Sequence, residues 1–225
     1  MAQQVSFTQM ADGTPEDWAL LDRFEDEFNA GLPDRILGAV DKLQGSFGGY
    51  RVTRYTHSLQ AATRAMRDGK DEEYLVAALV HDIGDDLAPF THGEMVAAVL
   101  KPFVREALCW MVQRHPVFQL HYFAYLSEEE RNSRDRWRDD PHFELTAEFC
   151  ERYDQASFDP DYPTESIDVF EPMVRRVFAE PRYTSRPAGC ERTRPSPTFA
   201  LPARPPLGSA GDMNAHMTEI SSPPA

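Results

Sequence analysis

At 225 residues and a formal charge of −14, the chain is long enough for one full-sized hydrophobic core and too acidic for nucleic acid or an anionic membrane to be its main partner. No stretch approaches the ~18 apolar residues that a membrane span needs, and the first residues show neither a basic nor an apolar leader pattern, so the expected location is the cytoplasm. The first predicted helix opens at Thr14 as N-cap, with Pro15 at the first helical position and Asp17 in the first turn. It runs to about Ala30, with Trp18, Leu21, Phe24, Glu25 and Phe28 spaced to bury one face and Gly31 to end it. A second follows Pro33 with Ile36, Leu37, Val40 and Leu43 as its stripe. Gln44 to Tyr50 is a loop, because Gly45, Gly48 and Gly49 make continued helix costly.

Residues 51–69 predict a helix closed by Gly69, with His57 near its packed side, and Asp71 caps the next. In that next helix Leu75, Val76, Ala78, Leu79 and Ile83 recur at three- and four-residue spacings, and the run delivers His81 and Asp82 at its C-terminal end. A carboxylate left unpaired at the end of a mostly buried helix costs several kcal/mol, so a cation beside Asp82 is expected. Thr91 can cap a helix beginning at His92. Another follows Pro102, through Phe103, Leu108, Met111 and Val112 to His115, where Pro116 interrupts it. The aromatics Phe118, Tyr122, Phe123 and Tyr125 suit either a wall over a pocket or core.

Residues 127–140 read as an exposed, charge-laced helix or lid. From Phe143, the pattern of Leu145, Phe149, Cys150 and Tyr153 describes a helix carrying Asp154. The last packed helix spans Val169 to Phe178, with Phe170, Met173, Val174 and Val177 inward. Beyond Glu180 the composition changes: residues 181–225 hold nine of the eighteen prolines and a charge of +2, leaving −16 on the first 180. They read as a disordered tail. Cys109, Cys150 and Cys190 show no CxxC pair and read as reduced thiols, the first two packed as small apolar groups. No run alternates as a strand, and the body reads as all-α.

Six residues on or beside different predicted helices, with one adjacent pair, stand out as candidate metal ligands: His57, His81, Asp82, His92, His115 and Asp154. Taken singly, each has a bland alternative. A lone His57 is more often a satisfied core histidine, and Asp82, Asp85 and Asp86 together suit a solvated acidic helix end.

The words YTHSLQAA, VAALVHDIGD, THGEMVAAVL, WMVQRH and CERYDQASFDPDY, in the order H, HD, H, H, D, resemble the HD-domain superfamily over about residues 47–178. Within it the order resembles the branch that binds two irons, which includes myo-inositol oxygenase and phosphonate-cleaving oxygenases. The body reads as a compact helical bundle over residues 1–180, with N-terminal helices over 1–46, and the resemblance places the metal-binding region over 47–178. It also implies His57, His81 and Asp154 on one metal, His92 and His115 on the other, and Asp82 bridging both. Asp159 and Asp161 are rivals for the last ligand. Two irons are the implied cofactors, with manganese or another divalent metal as the alternative, since imidazole and carboxylate suit these metals better than thiolate would.

Three positions bear on substrate. Asp85 stands where phosphate- and phosphonate-handling relatives usually carry a basic residue, Gln119 stands for a lysine, and Tyr50 replaces a glutamate. A pocket with two fewer basic side chains and one more carboxylate repels an anion, which favours a neutral or cationic ligand. The expected function is therefore a non-haem diiron oxygenase using dioxygen on a small neutral or cationic hydroxy or amino substrate. An HD-type metal-dependent phosphohydrolase is the alternative, and a non-catalytic binding module ranks third.

Overall fold

Thr14 starts the first helix as its sequence anticipates: its hydroxyl accepts the Asp17 amide at 3.2 Å, and the Asp17 carboxylate accepts the Thr14 amide at 3.0 Å. A computed structural model describes residues 3–183. Nine α-helices and no strand occur among the described residues. They are α1 (Pro15–Ala30), α2 (Leu32–Lys42), α3 (Arg54–Arg67), α4 (Glu72–Val80), α5 (His92–Leu100), α6 (Glu106–Gln119), α7 (Glu128–Arg131), α8 (Phe143–Phe149) and α9 (Ile167–Val177). No helix among them is long and apolar enough to cross a membrane.

Helix α4 is the axis of the core. Every residue from Tyr74 to Val80 is buried, as suits a helix that is apolar on all sides, and α3, α6 and α9 pack around it. Helices α5 and α8 both pack against α6. The chain then closes back, because α9 touches both α2 and α4 and buries Phe170, Val174 and Val177 between them.

Several local expectations need correction. Leu21, Phe24, Glu25 and Phe28 of α1 are all exposed, Phe28 by 64%, and Asp17 is the buried residue of that helix. The apolar spacing of α1 is genuine, yet the helix is anchored at its ends. Ser6 donates to Asp17 and Phe7 lies against Trp18 at one end; Arg35 covers the Phe28 ring at the other. Thr91 makes no side-chain cap. Helix α3 begins three residues later than expected, after Thr53, whose hydroxyl accepts the Thr56 amide. Phe103 sits in the turn before α6, which starts after Arg105. Pro116 does not end α6, which continues to Gln119. Among the aromatics, Phe118 is core, Tyr125 is 82% exposed, and only Tyr122 and Phe123 face a cavity. The charged stretch 127–140 is partly seated, since Trp137 stacks on Phe118 at 6.2 Å between ring centroids.

Past residue 180, Arg182 and Tyr183 both donate backbone amides to the Pro102 carbonyl, and the Tyr183 hydroxyl donates to Glu73. The rest of the expected tail, and Cys190 with it, lies outside the described residues. Cys150 is buried, Cys109 is partly so, and both are free thiols.

Candidate metal centre

The six candidate residues come from five segments and meet beside the C-terminal end of α4. His81 is the C-cap of that helix, and Asp82 begins the turn after it. His57 lies in the first turn of α3, His92 is the first residue of α5, and His115 sits late in α6. Asp154 ends a π-helical turn, Cys150–Asp154, in which the Gln155 amide reaches back five residues to the Cys150 carbonyl at 3.0 Å. The expected regular helix around Asp154 is thus widened by one residue in that turn. Asp159 and Asp161, the rivals to Asp154, are exposed.

The Asp82 carboxylate divides the cluster. Its Oδ2 lies 2.9 Å from His81 Nε2 and 3.3 Å from His57 Nε2, and its Oδ1 lies 3.4 Å from His115 Nε2 and 3.6 Å from His92 Nε2. Asp154 Oδ1 joins the first pair, 3.3 Å from His57 Nε2 and 3.9 Å from His81 Nε2. Two groups of side chains therefore share one carboxylate, with one oxygen turned to each.

Backbone carbonyls set the direction of the rings. His81 Nδ1 donates to the Ala78 carbonyl at 2.7 Å, His115 Nδ1 to the Val112 carbonyl at 2.7 Å, and His57 Nδ1 to the Ser157 carbonyl at 3.0 Å. A carbonyl can only accept, so each bond places a proton on Nδ1 and leaves Nε2 facing inward, as a lone pair whenever the ring is neutral. His92 Nδ1 faces Asp85 Oδ1 at 3.5 Å, with the same result. The Val112 carbonyl is available because Pro116, four residues on, has no amide to offer it.

The consequence is electrostatic. His92 Nε2 and His115 Nε2 stand 3.2 Å apart, two lone pairs with no proton between them. His57 Nε2 and His81 Nε2 stand 3.2 Å apart as well. Asp82 Oδ1 and Asp154 Oδ2 are buried with no hydrogen-bond partner. Burial alone pushes the His57 imidazole down, but Asp154 and Asp82 outweigh it and lift its pKa to about 9. Asp82, for which burial works upward, is held well below the usual carboxylate range by His81, Arg54, His115 and His57. Three sets of ligand atoms each lie within 4.8 Å of one another: His57, His81 and Asp154; His81, Asp82 and His115; Asp82, Asp85 and His92. A site of inward lone pairs and orphaned carboxylate oxygens suits divalent cations.

Two glycines let the second group close. A Cβ on Gly84 would meet the His92 carbonyl oxygen at 3.0 Å, and one on Gly93 would meet the Val112 and Gln113 carbonyls at 2.9 Å. The Gly93 contact is closer than a Cβ tolerates and the Gly84 contact would force its neighbour to give by a few tenths of an ångström, so glycine at both positions lets α5 come this near to the turn and to α6.

Beside the cluster opens a cavity of about 410 Å³, lined by Asp82, His92, His115 and Asp154 and walled by Tyr50, Tyr122, Phe123 and Phe158. Tyr50 sits on its rim, stacked on Phe158 at 4.7 Å, and Phe158 stacks in turn on His57 at 4.4 Å. Gln119 Nε2 donates to Asp154 Oδ1 at 3.1 Å, so it positions a carboxylate of the cluster besides lining the cavity. Asp85 is not the bare carboxylate its position in the sequence suggested. Arg54 donates from Nε to Asp85 Oδ2 at 3.0 Å and from Nη2 to Asp82 Oδ2, and with that the expected repulsion of an anion by Asp85 loses its ground. Sequence reasoning does not single out Arg54, Phe158, Gly84, Gly93 or Pro116 as site residues. Their available signals are position only: Arg54 lies one turn before His57, and the two glycines flank the loop into His92.

A family model for the HD domain matches residues 54–140, which run from α3 into the turn before α8. The curated relatives include the [1-hydroxy-2-(trimethylamino)ethyl]phosphonate dioxygenase (glycine-betaine-forming) of Leisingera caerulea, 30% identical over an alignment that covers 67% of this chain and 93% of that protein. The matched span holds the cluster's HD pair and three of its remaining residues, the helical bundle is the one expected from the sequence, and the buried histidines and aspartates are able to hold metal. The chain belongs to the HD-domain superfamily, as a metal-dependent enzyme akin to its oxygenase branch.

Proposed function

We propose that this protein is a non-haem diiron oxygenase acting on a small hydroxy or amino compound that is neutral or cationic overall. The observation that carries the metal assignment is the division of Asp82, with one carboxylate oxygen toward His57 and His81 and the other toward His92 and His115. On this proposal His57, His81 and Asp154 hold one ion, His92 and His115 hold the other, and Asp82 bridges them. Four imidazoles and two carboxylates without thiolate favour iron, with manganese next. When bound, two irons supply the redox capacity to turn dioxygen against a C–H bond.

The remaining work falls to the chain. The carbonyls of Ala78, Val112 and Ser157 keep the imidazoles in the tautomer that presents Nε2. Gln119 holds Asp154 in place. The aromatic wall of Tyr50, Tyr122 and Phe123 offers ring faces to an alkylammonium group. The relative's printed activity, on a compound that joins a hydroxyl, a trimethylamino group and a phosphonate, supports a ligand of this size and an oxidative reaction.

A metal-dependent phosphohydrolase is the second reading, and the guanidinium of Arg54 at the cavity is the observation that favours it. Elemental analysis of anaerobically purified protein, paired with electron paramagnetic resonance after partial oxidation, separates the two. About two irons per chain with a coupled mixed-valent signal is the outcome the oxygenase requires; two redox-silent ions would give the field to the hydrolase.

A further inference from the structure

Arg54 lines the cavity, and its side chain is only 11% exposed. A guanidinium keeps its charge in a protein interior, and here two carboxylates face it. Its two bonds to carboxylates use Nε and Nη2. Nη1 makes no hydrogen bond within the described residues and is not among their buried, partnerless atoms. The guanidinium is fixed in a plane by two carboxylates on one side, with Phe47 at 5.5 Å and Tyr50 at 5.9 Å from its centre to their rings. An arginine held this way keeps one donor edge for a ligand without losing rotamer freedom when the ligand arrives.

We propose that Arg54 reads an anionic group of the substrate, a carboxylate or a phosphonate, through Nη1, and that Asp85 serves as its counter-charge, setting how strongly it binds. With an ammonium group against the aromatic wall and the anionic group at Arg54, such a substrate is a small zwitterion. This proposal deepens the diiron reading and rests on it for the identity of the cavity as the substrate site.

The test uses the full chain loaded anaerobically with iron, metal content measured in every sample, and calorimetric titration with methylphosphonate and acetate against ethanol as the uncharged control. Arg54→Gln is expected to weaken both anions at least about tenfold, the loss typical of a charge-assisted hydrogen bond. Arg54→Lys keeps the charge and loses the fork, so it should recover part of that affinity. Asp85→Asn leaves the bond to Asp82 in place and removes the counter-charge, so anions should bind it several-fold more tightly than wild type. Where Arg54→Gln also sheds iron, Arg54→Lys decides at matched iron content, because an arginine that merely positions Asp82 can give way to lysine with no loss of anion affinity. Equal affinity for anions in wild type and Arg54→Gln at unchanged iron content would place the anion on the metals alone and overturn the proposal. Failure of iron-loaded wild type to bind either anion would overturn it too. Failure of the wild type to take up metal would sink the diiron reading and this proposal with it, whereas iron-loaded protein indifferent to Arg54 and Asp85 sinks this proposal alone.

Discussion

The two halves of the cluster share Asp82 and differ in everything around it. His57 and His81 are fully buried, Asp154 nearly so, and His57 is stacked under Phe158 at the foot of the cavity wall. The other half faces the cavity: the His92 side chain is 17% exposed, and its partner His115 lies beside Pro116 on the cavity floor. The closed half is built on the core helices α3 and α4. The open half depends on a close approach of α5 that two glycines permit. A site divided this way keeps one group of side chains as a fixed anchor and leaves the other reachable by small molecules.

Asp82→Asn strikes both halves at once and should have the largest effect. It removes the shared charge and leaves four inward histidines and Arg54 without their common partner. Metal affinity should fall well beyond the ~100-fold that marks the loss of an outer-sphere contact, read by competition with a chromophoric chelator. Retention of two metals by that variant would show that the halves are independent sites.

Alanine at His57 and at His92 should separate the halves by stability. His57→Ala empties a ring-sized space in the core and unpairs the Ser157 carbonyl, which should cost about 3 kcal/mol in urea unfolding of the metal-free protein. His92→Ala, at a partly open position, should cost less than about 1 kcal/mol. Equal losses would mean that the open half is as much part of the core as the closed one.

The halves should also respond oppositely to pH when no metal is bound. The His57 pKa is raised to about 9, so the stability it contributes is complete below its ordinary value of 6.5 and is lost as pH rises through 9. For His92, burial and then the neighbouring His115 lower the pKa, so its contribution is present above 6.5 and is lost as pH falls through the depressed value. Urea unfolding of metal-free protein from pH 5 to 9.5 should lose the alkaline decline in His57→Ala and keep it in His92→Ala. Metal takes the place of the proton on His57, so loaded protein should lack that decline as well.

Much of this is legible in the sequence because it depends on local chemistry. The apolar run from Leu75 to Val80 ends in His81 and Asp82, Asp71 caps that helix, and Thr14 with Asp17 starts the first: each is a short-range pattern, and each stands in the fold. The all-α class follows from the same spacing. What the sequence hides is contact between distant segments. Arg54 and Asp85 lie 31 residues apart, and neither reveals the other, so Asp85 taken alone reads as a repulsive charge. The stripe of α1 misleads for the converse reason: periodicity says that a helix has an apolar face and nothing about whether another element comes to cover it. The π-helical turn at Asp154 leaves no compositional trace.

Pro116 offers the subtlest distinction between the halves. In the closed half, His81 takes the Ala78 carbonyl where α4 is already ending, so no amide competes for it. In the open half, α6 continues past His115, and an ordinary residue at 116 would bring an amide toward the Val112 carbonyl that the His115 ring uses. Pro116→Ala restores that amide. The helix should become more stable, since an interior proline costs about 3 kcal/mol in an exposed helix and less where packing compensates. The His115 ring should lose its exclusive acceptor, and the metal held with His92 should bind a few-fold more weakly, short of the ~10-fold that removal of an outer-sphere partner brings. A higher melting temperature together with weaker binding of one metal equivalent is the combined result to look for. If the melting temperature rises and both equivalents bind as before, the His115 tautomer is held by something other than the missing amide of Pro116.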